Sequence, residues 1–296
     1  MNLRRCLTLA LALGALSGVR AFPDDPKPLV LHVLRSPESA LEPWLHDTSR
    51  WFIRQSKTPV EIVFLDAQPK GAAPDAKSQT SSAVADTPPQ PDLVILEANL
   101  EPGLYGITLP PDAKSVGKAD LVLAAVRFPK QNLSLAQALA GKARRAALVQ
   151  AAADSAAGMY ALYLESLAAR RSKRAADAKD VDAQPLETLL RDQTVTRDRY
   201  LLIPDTWCGA LKEKGQALAA RYPTEGFVQM KIVGFVPAGS DEKRAKLARE
   251  LLDFLALRGR TDPPPKCAAE PAGLTPIATP SPEQVQAIYA GFKKSR

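Results

Sequence analysis

The sequence predicts an α/β protein of two lobes, exported from the cytoplasm, and three observations lead there. The first is residues 1–21, MNLRRCLTLALALGALSGVRA, where Arg4 and Arg5 precede the apolar run Leu7–Leu16 and small residues, Val19 and Ala21, stand at −3 and −1 of a cleavage site. That is the layout of a secretory signal peptide cut near Ala21, and the run is far shorter than the ~20 residues a bilayer requires. The second is LVLHVL, a helical stripe and VEIVFL between Leu29 and Leu65, a strand–helix–strand unit that feeds a parallel sheet. The third is length: the roughly 275 residues left after cleavage reach the size at which chains divide into two bodies.

The elements follow in order. Leu29–Leu34 is a continuous apolar run rich in β-branched residues, as a strand buried on both faces requires. Ser36-Pro37-Glu38 reads as N-cap, proline at the first helical position and an acid in the first turn. Leu41, Trp44, Leu45, Thr48 and Phe52 then keep helical spacing, so 37–55 is an amphipathic helix. Val60–Leu65 and Leu93–Leu96 are the next strands. Between them, 68–91 is heavy in Pro, Ala, Ser and Asp without apolar periodicity and is expected to be a mobile surface loop. Leu100–Gly117 reads as a short Pro/Gly-rich passage, and Leu121–Phe128 as a strong strand. A short helix over Leu133–Leu139 and a strand over Ala146–Val149 lead to a helix opening at Ser155. Tyr200–Ile203 is a strand, 209–221 a helix, and Phe227–Val236 a long strand. Asp241–Leu257 is a strongly amphipathic helix, and Ser281-Pro282-Glu283-Gln284 is a capping box opening the last one.

Charge and cysteines narrow the function classes. The chain has 39 basic and 32 acidic side chains. Three arginines and no acid leave with the leader, so the net charge falls from +7 to +4. Basic runs such as 170–174 are interleaved with alanine and lack aromatic partners, which points to a solvated helix face rather than nucleic-acid contact. Cys6 also leaves, and Cys208 and Cys267 remain as an even pair in an oxidising compartment, most simply one disulfide. Such a bridge would stabilise by about 3–4 kcal/mol. His32 and His46 are far from both cysteines in sequence, so no metal set is expected.

Catalytic motifs are missing from the mature chain: there is no G-x-S-x-G elbow after a strand, no H-E-x-x-H and no G-K-[ST] phosphate loop. Carboxylates near strand ends (Asp66, Glu97, Asp154, Asp205) leave acid–base hydrolysis as a rival reading. What recurs is a strand followed by a helix with a small polar start, at Ser36 and at Ser155–Gly158. Helix N-termini bind anions through unpaired N–H groups, although each start is also simply a good cap.

The order LVLHVLRS, PDLVILEAN, ADLVLAAVRFP, DSAAGMYALYLES and GFVQMKIVGFVPAGS, followed by a long helix, resembles the type II periplasmic solute-binding proteins. Within them the chain is most similar to the branch with molybdate-, sulfate- and iron-binding components of ABC importers. The resemblance covers most of 28–260. It implies parallel-rich sheets joined by crossing hinge strands, with lobe one at 28–115 and 230–296 and lobe two at 118–226. It also implies a monomer that delivers a small solute, an oxyanion being one candidate, to a membrane ABC permease, without cofactor, metal or reaction. The ligand contacts it implies are Ser36 with Arg35 beside it, Asn99 at the end of the third strand, and Ser155, Ala156 and Gly158 at the second-lobe helix start. Trp207 either stacks on the ligand or covers the disulfide. The family's ligand-touching helix after the third strand has no counterpart in the 100–117 passage. The alternative function is an exported sensor or interaction protein of the same fold.

Overall fold

Apolar runs too short and too β-branched for helices pair here into two sheets that share one strand. The computed structural model describes residues 27–36, 41–67, 89–125, 135, 148–150, 155–172, 181–183, 200–207, 218–224, 226–264, 266 and 276–295. The signal peptide, most of the 68–91 segment, most of the 133–139 and 209–221 helices, Asp154, and both Cys208 and Cys267 with their expected disulfide lie outside these residues.

In the first sheet β1 (Leu29–Arg35) runs parallel to β2 (Val60–Asp66) on one side and to β3 (Leu93–Glu97) on the other, with Arg35 opposite Asp66 and Ile95. All five residues of β3 are buried: the apolar run Leu93–Leu96, as expected of a strand covered on both faces, and Glu97 at its end. The sheet continues antiparallel through β9 (Gln229–Phe235) to β4 (Lys114–Ala125). β4 then changes partners. Lys114–Asp120 pairs with β9, whereas Leu121–Ala124 pairs with β7 (Tyr200–Pro204) and Leu123–Ala125 with β8 (Ala219–Arg221). Beyond β7 lie β5 (Leu148–Gln150) and β6 (Val181–Ala183), both in parallel pairings. The expected two-lobe α/β architecture with a crossing strand is therefore the one observed.

Three elements differ from the sequence reading. β4 begins seven residues before Leu121, because Val116 and Ala119 are as buried as the apolar run that follows. The 100–117 passage contains a short helix, α2 (Glu101–Tyr105), closed by Gly106 in the left-handed region at φ 67°. Residues 219–221, expected to end a helix, form β8 instead, since they complete the ladder along the far half of β4.

The first helix, α1, is described from Glu42 to Gln55, with Leu41 as N-cap and proline in the first turn. Its buried face (Leu45, Phe52) packs with Leu31, Val33 and Ile95 against α4 (Glu242–Thr261), which contributes Leu247, Leu251 and Leu255. Asp241 caps α4 as its carboxylate accepts from the Lys243 and Arg244 amides at 3.1 and 3.2 Å. In the second lobe α3 (Ala156–Ser172) packs on β7. The capping box forms as expected, with Gln284 N donating to Ser281 Oγ at 3.3 Å and Ser281 N to Gln284 Oε1 at 3.0 Å. The helix it opens, α5 (Pro282–Ser295), was expected in the first lobe with the rest of 230–296 but packs against α3. Among the described residues no helix is long and apolar enough to cross a membrane.

One glycine is demanded by packing. A Cβ at Gly259, in the last turn of α4, would lie 1.8 Å from the Val116 carbonyl oxygen of β4. A Cβ at Gly291 of α5 would meet nothing within 4 Å. We therefore expect Gly259→Ala to lower the unfolding free energy by about 3 kcal/mol through overpacking. Gly291→Ala should be neutral or gain up to ~1 kcal/mol from helix propensity. Urea unfolding of the two variants checks the contrast.

Candidate functional site

The parallel pairing of β1 with β3 sets their carboxyl ends side by side, and in open α/β sheets the crevice beyond such ends is where ligands bind. Two polar segments leave the sheet there: Ser36 after β1, and Glu97-Ala98-Asn99 after β3, leading directly into α2. Glu101, in the first turn of α2, folds back over this corner. Ser36 Oγ donates to Glu101 Oε1 at 2.6 Å and the Glu97 amide donates to Glu101 Oε2 at 2.6 Å. The Glu97 carboxylate in turn accepts from the Leu100 amide at 2.6 Å. Tyr105 brings its hydroxyl to 3.5 Å from Ser36 Oγ.

The second lobe reaches the same corner through α3. Tyr160, one turn beyond the helix start and fully buried, donates its hydroxyl to Glu97 Oε1 at 3.1 Å. Asn99 Nδ2 donates both to Tyr160 Oη at 3.0 Å and to the Pro280 carbonyl at 2.9 Å. A continuous hydrogen-bond path thus runs from Ser36 through Glu101 and Glu97 to α3, across the two lobes.

Burial dominates the electrostatics. It pushes the Glu101 carboxyl up to about 8, helped by the negative charge of Glu97. Burial also raises Glu97, against the amide of Leu100 and the Tyr160 hydroxyl, which favour its charge. Tyr160 is raised by burial and by Glu97, so it stays a neutral donor. Near neutral pH the pair therefore holds a proton, and the corner is acidic and rich in acceptors.

The residues expected at a ligand fall into two sets. Ser36 and Asn99 meet at this corner. Ser36 does not cap the described α1, whose N-cap Leu41 makes no side-chain bond; its hydroxyl is drawn to Glu101 instead. Ser155 heads α3 and accepts from the Gly158 amide at 3.1 Å, so the cap uses an N–H that an anion would need, while Ala156 is packed into the core. Arg35 is turned away from the corner: it pairs with Glu42 and, at 3.3 Å, with Asp66, and lies 5.5 Å from the Phe64 ring centroid. Trp207 is a core side chain only 2% exposed. Sequence reasoning missed Glu101, Tyr105 and Tyr160. The available signal was Glu97-x-x-x-Glu101 at a strand end, a spacing that places two acids around one tight turn. Among the described residues no group of three His, Cys, Asp or Glu side chains is placed to hold a metal ion.

A second polar cluster holds the crossover. Asp120, where β4 changes partners, accepts from Tyr222 Oη at 3.1 Å, Gln229 Nε2 at 3.0 Å and Lys266 Nζ at 2.9 Å. Its amide donates to Asp205 Oδ1 at 3.0 Å, and Lys266 also lies 3.2 Å from Asp205 Oδ2. Burial raises the Asp205 carboxyl.

No family model and no curated protein matches this sequence. Among solved structures it is similar to a periplasmic thiamin binding protein, with a TM-score of 0.58 at 15% identity over 92% of this chain and 97% of that one. It is also similar to the substrate binding protein of an ABC transporter from Agrobacterium tumefaciens, with a TM-score of 0.55 at 13% identity over 92% and 95% of the two chains. A candidate transcriptional regulator from Vibrio parahaemolyticus aligns over 79% of this chain and 97% of its own, with a TM-score of 0.51 at 15% identity. These likenesses show the fold, a two-lobe periplasmic-binding-protein-like one.

The corner carries a pH signature. Glu101 titrates from 4.5 in an unfolded chain to about 8 in the fold, so between these values only the folded state holds the proton. Its contribution to stability is then complete below about 4.5 and is lost as pH rises toward 8. Urea-derived stability of the parent should decline across this window more steeply than that of Glu101→Gln. Equal slopes would show that Glu101 is ionised throughout.

Proposed function

We propose that the chain is an exported solute-binding protein that captures a small solute where its lobes meet and passes it to a membrane ABC permease. The observation that carries this reading is the Tyr160–Glu97 hydrogen bond, which joins the second lobe to the carboxyl ends of the first-lobe strands. Contacts of this kind exist only when the lobes are together, and a solute that engages both sides shifts the population toward that state. The corner supplies hydrogen bonds and charge, which supports a binding role. The N-terminal leader supports a periplasmic site of action, and the two binding-protein likenesses support the transport role.

The charge of the corner bears on the solute. Two carboxyls and three hydroxyls favour a cationic or hydrogen-bond-donating ligand, and the capped start of α3 weighs against an oxyanion. Ser36, Asn99, Glu97, Glu101 and Tyr160 are the residues we assign to it.

Thermal unfolding of the mature chain with thiamin, polyamines and basic amino acids, set against molybdate, sulfate and neutral sugars, tests the reading. A true ligand at about 100 times its Kd should add roughly 2.7 kcal/mol, and Tyr160→Phe should weaken that gain. If an oxyanion stabilises and its effect vanishes in Tyr160→Phe, the charge assignment is wrong. If no solute stabilises, solute capture is wrong.

A further inference from the structure

The crossing strands carry a second feature that solute capture at the lobe corner does not use. On the ladder between β4 and β9, Lys118 stands directly opposite Lys231. Like charges in this position lie about 5 Å apart at Cβ and destabilise a sheet. Both side chains are exposed, and among the described residues neither has a carboxylate within 4.0 Å. The pair borders a pocket of about 710 Å³ between these strands and the end of α4, which Arg260 and Lys266 also line, with Ser115 and Gln229 as neutral polar groups. Among the described residues Arg260 commits only its Nε, to the Ala256 carbonyl at 3.2 Å, and Lys266 is held by Asp120 and Asp205. Lys118, Lys231 and Arg260 thus converge on one concavity of ligand size, the charge of Lys266 being offset by Asp120 and Asp205. Low-dielectric walls focus such a field and raise the local concentration of anions.

We propose that this pocket is a binding site for a multivalent phosphate-type anion, bridged by Lys118, Lys231 and Arg260. The anion would relieve the lysine–lysine repulsion, which gives the unpaired arrangement a physical reason. The site lies beside the lobe corner, since the Lys231 carbonyl accepts from the Ala98 amide at 2.8 Å, next to Glu97.

The test is calorimetry and thermal unfolding of the full mature chain with inorganic pyrophosphate, and co-sedimentation with phosphatidylglycerol vesicles. Lys231→Glu would place opposite charges across the ladder and should raise the melting temperature without anion. It should also weaken pyrophosphate binding at least tenfold. Lys118→Gln serves as a second variant should the first fail to fold, and Lys57→Gln, which does not line the pocket, should leave binding unchanged. A pyrophosphate response lost in the pocket variants supports a soluble anion. Vesicle binding lost in the same variants, without a pyrophosphate response, supports a lipid phosphate. The absence of both responses in the parent, or binding that persists undiminished in the variants, overturns the proposal.

Discussion

Both lobes take their positions from Asp120, the residue at which one strand passes from one sheet to the other. Its amide is fixed by Asp205 and its carboxylate by Tyr222, Gln229 and Lys266. A buried carboxylate is costly unless it is paired and fully hydrogen-bonded, and here every donor comes from a different part of the chain. Asp120 sits in the middle of the twelve-residue β4, with one half of the strand in each sheet.

Much of the framework was legible because short apolar, β-branched runs leave a local trace, whether buried throughout as in β3 or half-buried as in β2. LVLHVL, VEIVFL, LVIL and YLLI became strands within a residue or two of their expected limits. Ser281 announced its helix, since capping is settled within four residues, and the helix from Asp241 was legible in its apolar stripe. The misses share a cause. Lys114–Ala119 alternates charged and small residues and reads as loop until β9 and α4 cover one side of it. β8 exists only because the far half of β4 has a vacant edge, something three residues of sequence cannot display.

The candidate site was less legible, for a related reason. Ser36 and Asn99 were picked out, but their partners stand 65 and 61 positions away, at Glu101 and Tyr160. Tyr160 looks like one more apolar position of the α3 stripe, and only the fold turns its hydroxyl toward Glu97. The expected preference for anions rested on helix starts; it overlooked that Ser155 takes up the Gly158 amide. It also gave no weight to a second glutamate four residues after the first. Carboxyl pairs of this kind share a proton when solvent is excluded, and no composition figure foretells that.

The close approach of Gly259 to Val116 has a mechanical consequence. With no side chain between them, α4 and the first half of β4 are pressed together without slack, and neither can slide or roll on the other. A side chain at position 259 would drive α4 and the first half of β4 apart, so the seating of this helix on the crossing strand is set by a missing methyl group.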